Sequence, residues 1–145
     1  MILYLDTSAL VKLYIQEPGS KEVREQVAAA RIVSTSRVSY VEARAGIARK
    51  FREGELTEGE RRRIVRDLEE DWKNYFIVEV SESVAKLGGA LTDRYPLRGF
   101  DAIHLASALL LKNRTRVDVS FSCFDKKLRE AAKAEGLDVP EHFDF

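Results

Sequence analysis

Four short apolar runs, each followed by a stretch with helical character, constrain this chain more than any other feature. They lie at residues 2–5, 32–33, 76–80 and, alternating with polar side chains, 117–121. Runs of this length are too short for buried helices and suit strands covered on both faces. The segments between them read as helices. Residues 9–15 and 20–30 flank a break at Pro18 and Gly19, and a longer helix runs from Val38 to Gly54. On that helix Val41, Ala45 and Ala48 recur at helical spacing and predict its buried stripe. Thr57 and Glu60 form a capping box for the next helix, Ser81 caps another, and a further one begins near Asp101. A last helix, about 126–135, stops at Gly136, and Val139 offers a short edge strand. Strands separated by helices imply parallel pairing through crossovers. The expectation is therefore a single α/β domain over residues 1–145, with a central parallel sheet of four or five strands flanked by helices.

Composition narrows the function. The 145 residues carry 24 basic and 24 acidic side chains, so bulk positive charge does not draw this chain to nucleic acid. Cys123 is the single cysteine, which excludes an internal disulfide and a multi-cysteine zinc site. No apolar run is long enough to span a bilayer and no leader pattern precedes the first strand, so a cytoplasmic protein is expected.

The acids carry the chemical signal. Ligands of open α/β sheets sit beyond the carboxyl ends of the strands, and Asp6 and Asp125 fall there, after the first and fourth strands. Asp101 lies at a helix N-terminus and Glu42 on the helix after the second strand. Taken singly, Asp6, Asp101 and Asp125 also read as helix caps, and Glu42 as a solvated helix charge. Taken together, carboxylates sharing one crevice repel by ~4 kcal/mol per pair at 4 Å and an effective dielectric near 20. Such a cluster calls for a cation or raised pKa values. With no thiolate or histidine set in competition, the hard ions Mg²⁺ or Mn²⁺ fit best, and their chemistry suits phosphodiester hydrolysis.

Four segments, in order, resemble the motifs of PIN-domain ribonucleases. They are Leu5-Asp6-Thr7-Ser8-Ala9-Leu10-Val11-Lys12, Val38-Ser39-Tyr40-Val41-Glu42-Ala43, Gly99-Phe100-Asp101-Ala102-Ile103-His104-Leu105-Ala106, and Ser122-Cys123-Phe124-Asp125 with Leu128 and Ala132. The resemblance covers essentially the whole chain, and it implies a small α/β fold that cleaves RNA with Mg²⁺ or Mn²⁺. It implies metal binding and catalysis for Asp6, Glu42, Asp101 and Asp125, with support from the hydroxyls of Ser8 and Ser122. It further implies the toxin of a VapBC-type toxin–antitoxin pair, a homodimer, and an antitoxin protein whose tail occludes the site.

A neutral nuclease needs local cations for RNA. Arg44 and Arg49 on the Glu42 helix, and Lys126 and Lys127 after Asp125, are the candidates. His104, three residues past Asp101, is expected to be a partly exposed helix histidine, with an acid–base role as the sharper reading. Two alternatives remain: a catalytically silent PIN-fold module that binds RNA or protein, and a phosphohydrolase using Asp6 as nucleophile. The second normally wants another acid two residues on, where this chain has Ser8.

Overall fold

The computed structural model describes residues 1–141; residues 142–145, the end of the expected domain span, lie outside the described residues. The elements run β1 (Ile2–Leu5), α1 (Thr7–Val11), α2 (Ser20–Ala29), β2 (Ile32–Ser36), α3 (Arg37–Arg52) and α4 (Glu58–Trp72). They continue with β3 (Phe76–Val78), α5 (Glu82–Arg94), α6 (Gly99–Thr115), β4 (Val119–Ser122) and α7 (Lys126–Ala134). All strand pairs are parallel, in the order β3-β2-β1-β4.

This order places the two central strands, β1 and β2, between apolar layers. Along β1 the side chains alternate: Ile2 and Tyr4 join Phe121, Leu105 and Leu128 on one face, Leu3 and Leu5 join Leu10, Val23, Ile47 and Leu68 on the other. All four β1 residues are buried, which is why that stretch reads as an unbroken apolar run. The chain winds β1, β2, β3 in one direction, then crosses to add β4 on the other side of β1. The direction reverses between β1 and β4, and in open α/β sheets that reversal opens a crevice at the strands' carboxyl ends.

Several expectations change at this level. Ser34, Thr35 and Ser36 do not close the second strand early; they form its buried end. Their hydroxyls are satisfied within the fold, as buried hydroxyls must be. Ser34 donates to the Phe76 carbonyl at 2.7 Å, Thr35 to the Leu5 carbonyl at 2.7 Å, and Ser36 accepts from the Val38 amide at 3.2 Å. The predicted stripe of α3 is rotated. Val41 is 67% exposed, whereas Ser39, Ala43 and Ile47 are buried, because the polar Ser39 bonds Thr35 at 2.7 Å and so belongs inside. Among the described residues there is no fifth strand; near Val139 the chain makes one isolated parallel bridge, Ser120 with Asp138. The third strand ends at Val78 and the first helix spans Thr7–Val11, both shorter than the apolar patterns suggested.

Gly19 ties the crevice rim together. Its φ of +97° is left-handed, and a Cβ there would lie 2.6 Å from the Phe124 ring and 2.9 Å from Lys12 Cε. Lys12 Nζ in turn sits 4.4 Å over that ring and 2.9 Å from Glu17. Gly19→Ala is expected to destabilise the protein by about 3 kcal/mol, combining left-handed strain with overpacking. Thermal denaturation checks this, and a melting temperature equal to that of the parent would contradict it.

Candidate active site

Asp6 leaves β1 at its carboxyl end and caps α1. Its Oδ1 accepts the Ala9 amide at 2.9 Å and the Ser8 hydroxyl at 2.8 Å. Its own amide donates to the Ser122 carbonyl at 3.2 Å, which holds β1 and β4 level where both strands end. The residue is only 4% exposed, and among the described residues its Oδ2 has no hydrogen-bond partner. A buried carboxylate oxygen left in this state is costly. Burial pushes the Asp6 carboxyl above the usual range, and the Asp101 charge adds to that, against the opposing pull of His104, Ala9 and Ser8.

Asp101 sits in the first turn of α6, where Arg98 is the N-cap residue without a side-chain capping bond. Its carboxyl is also raised, by burial first and then by the charges of Asp125 and Glu42, with His104 and Arg98 pulling the other way. Asp125 is exposed and caps α7 by accepting the Leu128 amide at 2.9 Å. The cap readings of Asp6 and Asp125 are therefore correct, and they coexist with placement at the crevice. The charges of Asp125 and Glu42 act on Asp101, and that of Asp101 acts on Asp6.

Glu42, half-buried on α3, behaves differently. Burial works to raise its carboxyl, but the hydrogen bonds from His104 and Thr7, with the imidazole's charge, outweigh it and hold the group low. Thr7 Oγ1 donates to Glu42 Oε1 at 2.5 Å, and His104 Nε2 lies 3.2 Å from the same oxygen. His104 is 2% exposed, not the partly exposed helix residue expected. One turn along α6 from Asp101 was a usable signal for its face; Tyr4 and Thr7, its partners, passed unnoticed because they are about a hundred residues away in sequence.

Ser8 supports Asp6 as predicted. Ser122 does so through its carbonyl; its hydroxyl donates to Gln26 Oε1 at 2.6 Å and reaches none of the four acids. Of the predicted RNA-binding cations, Lys126 and Lys127 are exposed directly after Asp125. Arg44 is held against α4 instead, bonding the Tyr40 hydroxyl at 2.6 Å and lying 3.7 Å from Glu69. Arg49 is exposed two helical turns past Glu42, about 10 Å along the axis. The sequence reading overlooked Arg98 and Phe100. With Glu42, Gly99, Asp101 and Ile103 they line a cavity of about 430 Å³, and Phe100 is 54% exposed. Both flank Asp101 in sequence, which was the available signal.

Among the described residues no group of three or more His, Cys, Asp or Glu side chains is so placed that it could hold a metal ion by itself. The donors nonetheless suit a hard cation. They are carboxylate oxygens, one oxygen of the buried Asp6 carboxylate is unpaired, and burial raises the carboxyls of both Asp6 and Asp101. Mg²⁺ takes one or two carboxylates and keeps several waters, so it does not require a closed cage.

The all-parallel order β3-β2-β1-β4, with Asp6 and Asp125 capping helices beyond the carboxyl ends of β1 and β4, defines a doubly wound α/β class. Within that class the chain belongs to the PIN-domain family, whose sequence pattern matches residues 3–134. It is 36% identical over 142 residues to Ribonuclease VapC45 of Mycobacterium tuberculosis, covering 95% of this chain and 94% of that protein. Ribonuclease VapC46 of the same species is 35% identical over 139 residues, covering 94% and 95%. Among solved structures, VapBC2 from Rickettsia felis bound to a promoter DNA fragment superposes with a TM-score of 0.67 at 15% identity, covering 99% and 100% of the two chains. FitAcB from Neisseria gonorrhoeae gives 0.65 at 19% identity, covering 96% of each. These two likenesses concern the fold.

Proposed function

We propose that this chain, as a single domain over residues 1–145, is an endoribonuclease of the VapC type that hydrolyses RNA with Mg²⁺ or Mn²⁺ at the Asp6–Asp101 crevice. The observation that carries the reading is the buried Asp6 carboxylate, with one oxygen fixed by α1, the other unpaired, and the Asp101 charge acting on it. Asp6 and Asp101, with Glu42 and Asp125 at the margins, would hold the ion. When bound, such an ion polarises a phosphate and lowers the pKa of an attacking water. The chain's own residues do the rest. Ser8 and the Ala9 amide orient Asp6, Thr7 and His104 orient Glu42, and Arg98 and Lys126 offer positive charge to the RNA backbone. Ser8 occupies the position where an Asp-nucleophile phosphohydrolase needs its second acid, and it bonds Asp6 as an orienting hydroxyl.

Toxin activity implies an antitoxin that restrains it, and the proposal includes a protein partner of that kind, a homodimer and a cytoplasmic site of action. Among the described residues no helix is long and apolar enough to cross a membrane. The test is cleavage of a mixed structured RNA by the full chain with Mg²⁺, Mn²⁺ or EDTA. Metal-dependent cutting is expected; a folded protein that cuts no RNA with either ion would favour the silent binding module instead.

Phe100 supplies an apolar face beside the acids, and single-stranded RNA is commonly gripped by bases stacking on such rings. Stacking contributes ~1–3 kcal/mol per base. Phe100→Ala is thus expected to raise KM for RNA by roughly tenfold with kcat little changed, while Phe100→Trp retains the parent KM. Initial-rate kinetics on a short single-stranded substrate separate these outcomes.

A further inference from the structure

The His104 imidazole bridges the core and the crevice. It is 2% exposed and spends both nitrogens on side chains from other elements. Nδ1 lies 2.8 Å from the Tyr4 hydroxyl on β1, and Nε2 lies 3.2 Å from both Thr7 Oγ1 on α1 and Glu42 Oε1 on α3. Thr7 donates to that same Glu42 oxygen at 2.5 Å. Four elements thus converge on one ring.

Hydrogen accounting gives the network a direction. A carboxylate only accepts, so Nε2 carries a hydrogen towards Glu42 in either charge state of the ring. In the neutral ring the Tyr4 phenol donates to Nδ1 and fixes which nitrogen is protonated. Tyr4 is itself rigid, being fully buried, stacked on Phe121 at 5.5 Å between centroids and edge-on to His104 at 5.9 Å. Both bonds to Glu42 fall on Oε1, and among the described residues Oε2 makes none.

We infer that His104 is a positioning residue: backed by Tyr4 and aided by Thr7, it clamps Oε1 of Glu42 and leaves Oε2 as the oxygen available to a divalent cation. The inference rests on the function proposed above. His104 is not a catalytic residue, because its burial and its three side-chain partners leave no nitrogen for substrate. A histidine that merely filled the core would not need its Nε2 aimed at an acid lining the crevice. Glutamate has three side-chain torsions, and without the clamp a half-buried Glu42 would sample several rotamers. Partners that orient a metal ligand typically account for 10–100-fold in metal affinity or activity.

The test uses the full chain, four single variants and one double variant. His104→Phe keeps a ring without donors, His104→Gln returns an N–H near the place of Nε2, Tyr4→Phe removes only the supporting hydroxyl, and Glu42→Gln removes the clamped charge. Mn²⁺ affinity by electron paramagnetic resonance, kcat and KM on RNA, and melting temperature in EDTA are read in parallel. His104→Phe is expected to weaken Mn²⁺ binding by roughly 10–100-fold and to lower kcat similarly at subsaturating metal. KM for RNA stays near the parent value, His104→Gln recovers most of the loss, and Tyr4→Phe falls between. A folded His104→Phe protein that binds Mn²⁺ like the parent overturns the clamp, as does a Gln variant no better than the Phe variant. The double variant His104→Phe with Glu42→Gln, melted in EDTA, tests the clamp without any metal. Coupled effects on stability are expected, and strictly additive ones overturn it. A parent protein that binds no Mn²⁺ and cuts no RNA, yet shows this coupling, leaves the clamp standing and removes the proposed function.

Discussion

Asp6→Asn is expected to cut RNA cleavage by roughly a hundred- to a thousandfold, the scale seen when one transition-state-stabilising group is removed, while raising the melting temperature of the metal-free protein. The two halves have separate causes. Asn keeps an oxygen for the Ala9 amide and the Ser8 hydroxyl and is as good an N-cap as Asp, so α1 retains its start. What disappears is a buried negative charge beside Asp101. The Asp6 and Asp101 carboxyls are raised in the fold, so ionising them costs the folded state. The stability associated with their protonated forms is complete below the ordinary Asp range and is lost as pH rises through their raised values. The penalty is fully present above those raised values, where both carboxyls are ionised, and Asn relieves the part that belongs to Asp6. Thermal melts in EDTA and RNA cleavage on the same preparation check both halves. A variant that melts lower and still cuts would defeat the assignment of Asp6.

The parts of this architecture that local pattern controls were legible in the sequence. Asp6 follows an apolar run that is buried on both sides, and Asp125 follows the fourth run, which pairs with the first on the side away from β2. Their placement at the carboxyl ends needed nothing beyond the alternation of strands and helices. The α3 face was misread because two stripes fit the same spacing. Val41, Ala45 and Ala48 compete with Ser39, Ala43 and Ile47, and hydrophobicity favours the wrong set. Ser39 goes inside because Thr35, at the end of the buried strand, offers its hydroxyl a partner. The same exchange of hydroxyls hid the full length of β2. His104 illustrates the limit most clearly. Its burial depends on Tyr4, Thr7 and Glu42, which are brought together by the β1–β4 pairing and the packing of α1, α3 and α6. No window of sequence contains that information. Thr7 stands at the start of α1, yet its hydroxyl reaches Glu42 and leaves capping to Asp6.

Adding Mn²⁺ to the metal-free protein is expected to raise its melting temperature by roughly 5–15 °C at neutral pH. At a free concentration one hundred times Kd, binding contributes about 2.7 kcal/mol, and a domain of this size gains several degrees per kcal/mol. The pH dependence should be distinctive because the acids are shifted in opposite directions. Asp6 and Asp101 are raised, so protons compete for them first as pH falls, and the Mn²⁺-induced increment shrinks through that window. Over the same window the metal-free protein becomes more stable as its buried carboxylates are neutralised. Glu42 is lowered, so its contribution is present above the ordinary Glu range and is lost only on further acidification, through its depressed value. The metal-free melting temperature should therefore rise and then fall as pH decreases from neutral, while the Mn²⁺ increment falls throughout. In Asp6→Asn the increment should be nearly abolished at every pH. An increment of equal size in that variant, or one indifferent to pH, would place the ion elsewhere on the surface. The opposite shifts are what allow melting curves alone to distinguish binding at the crevice from loose attraction to a protein that carries 24 acidic side chains.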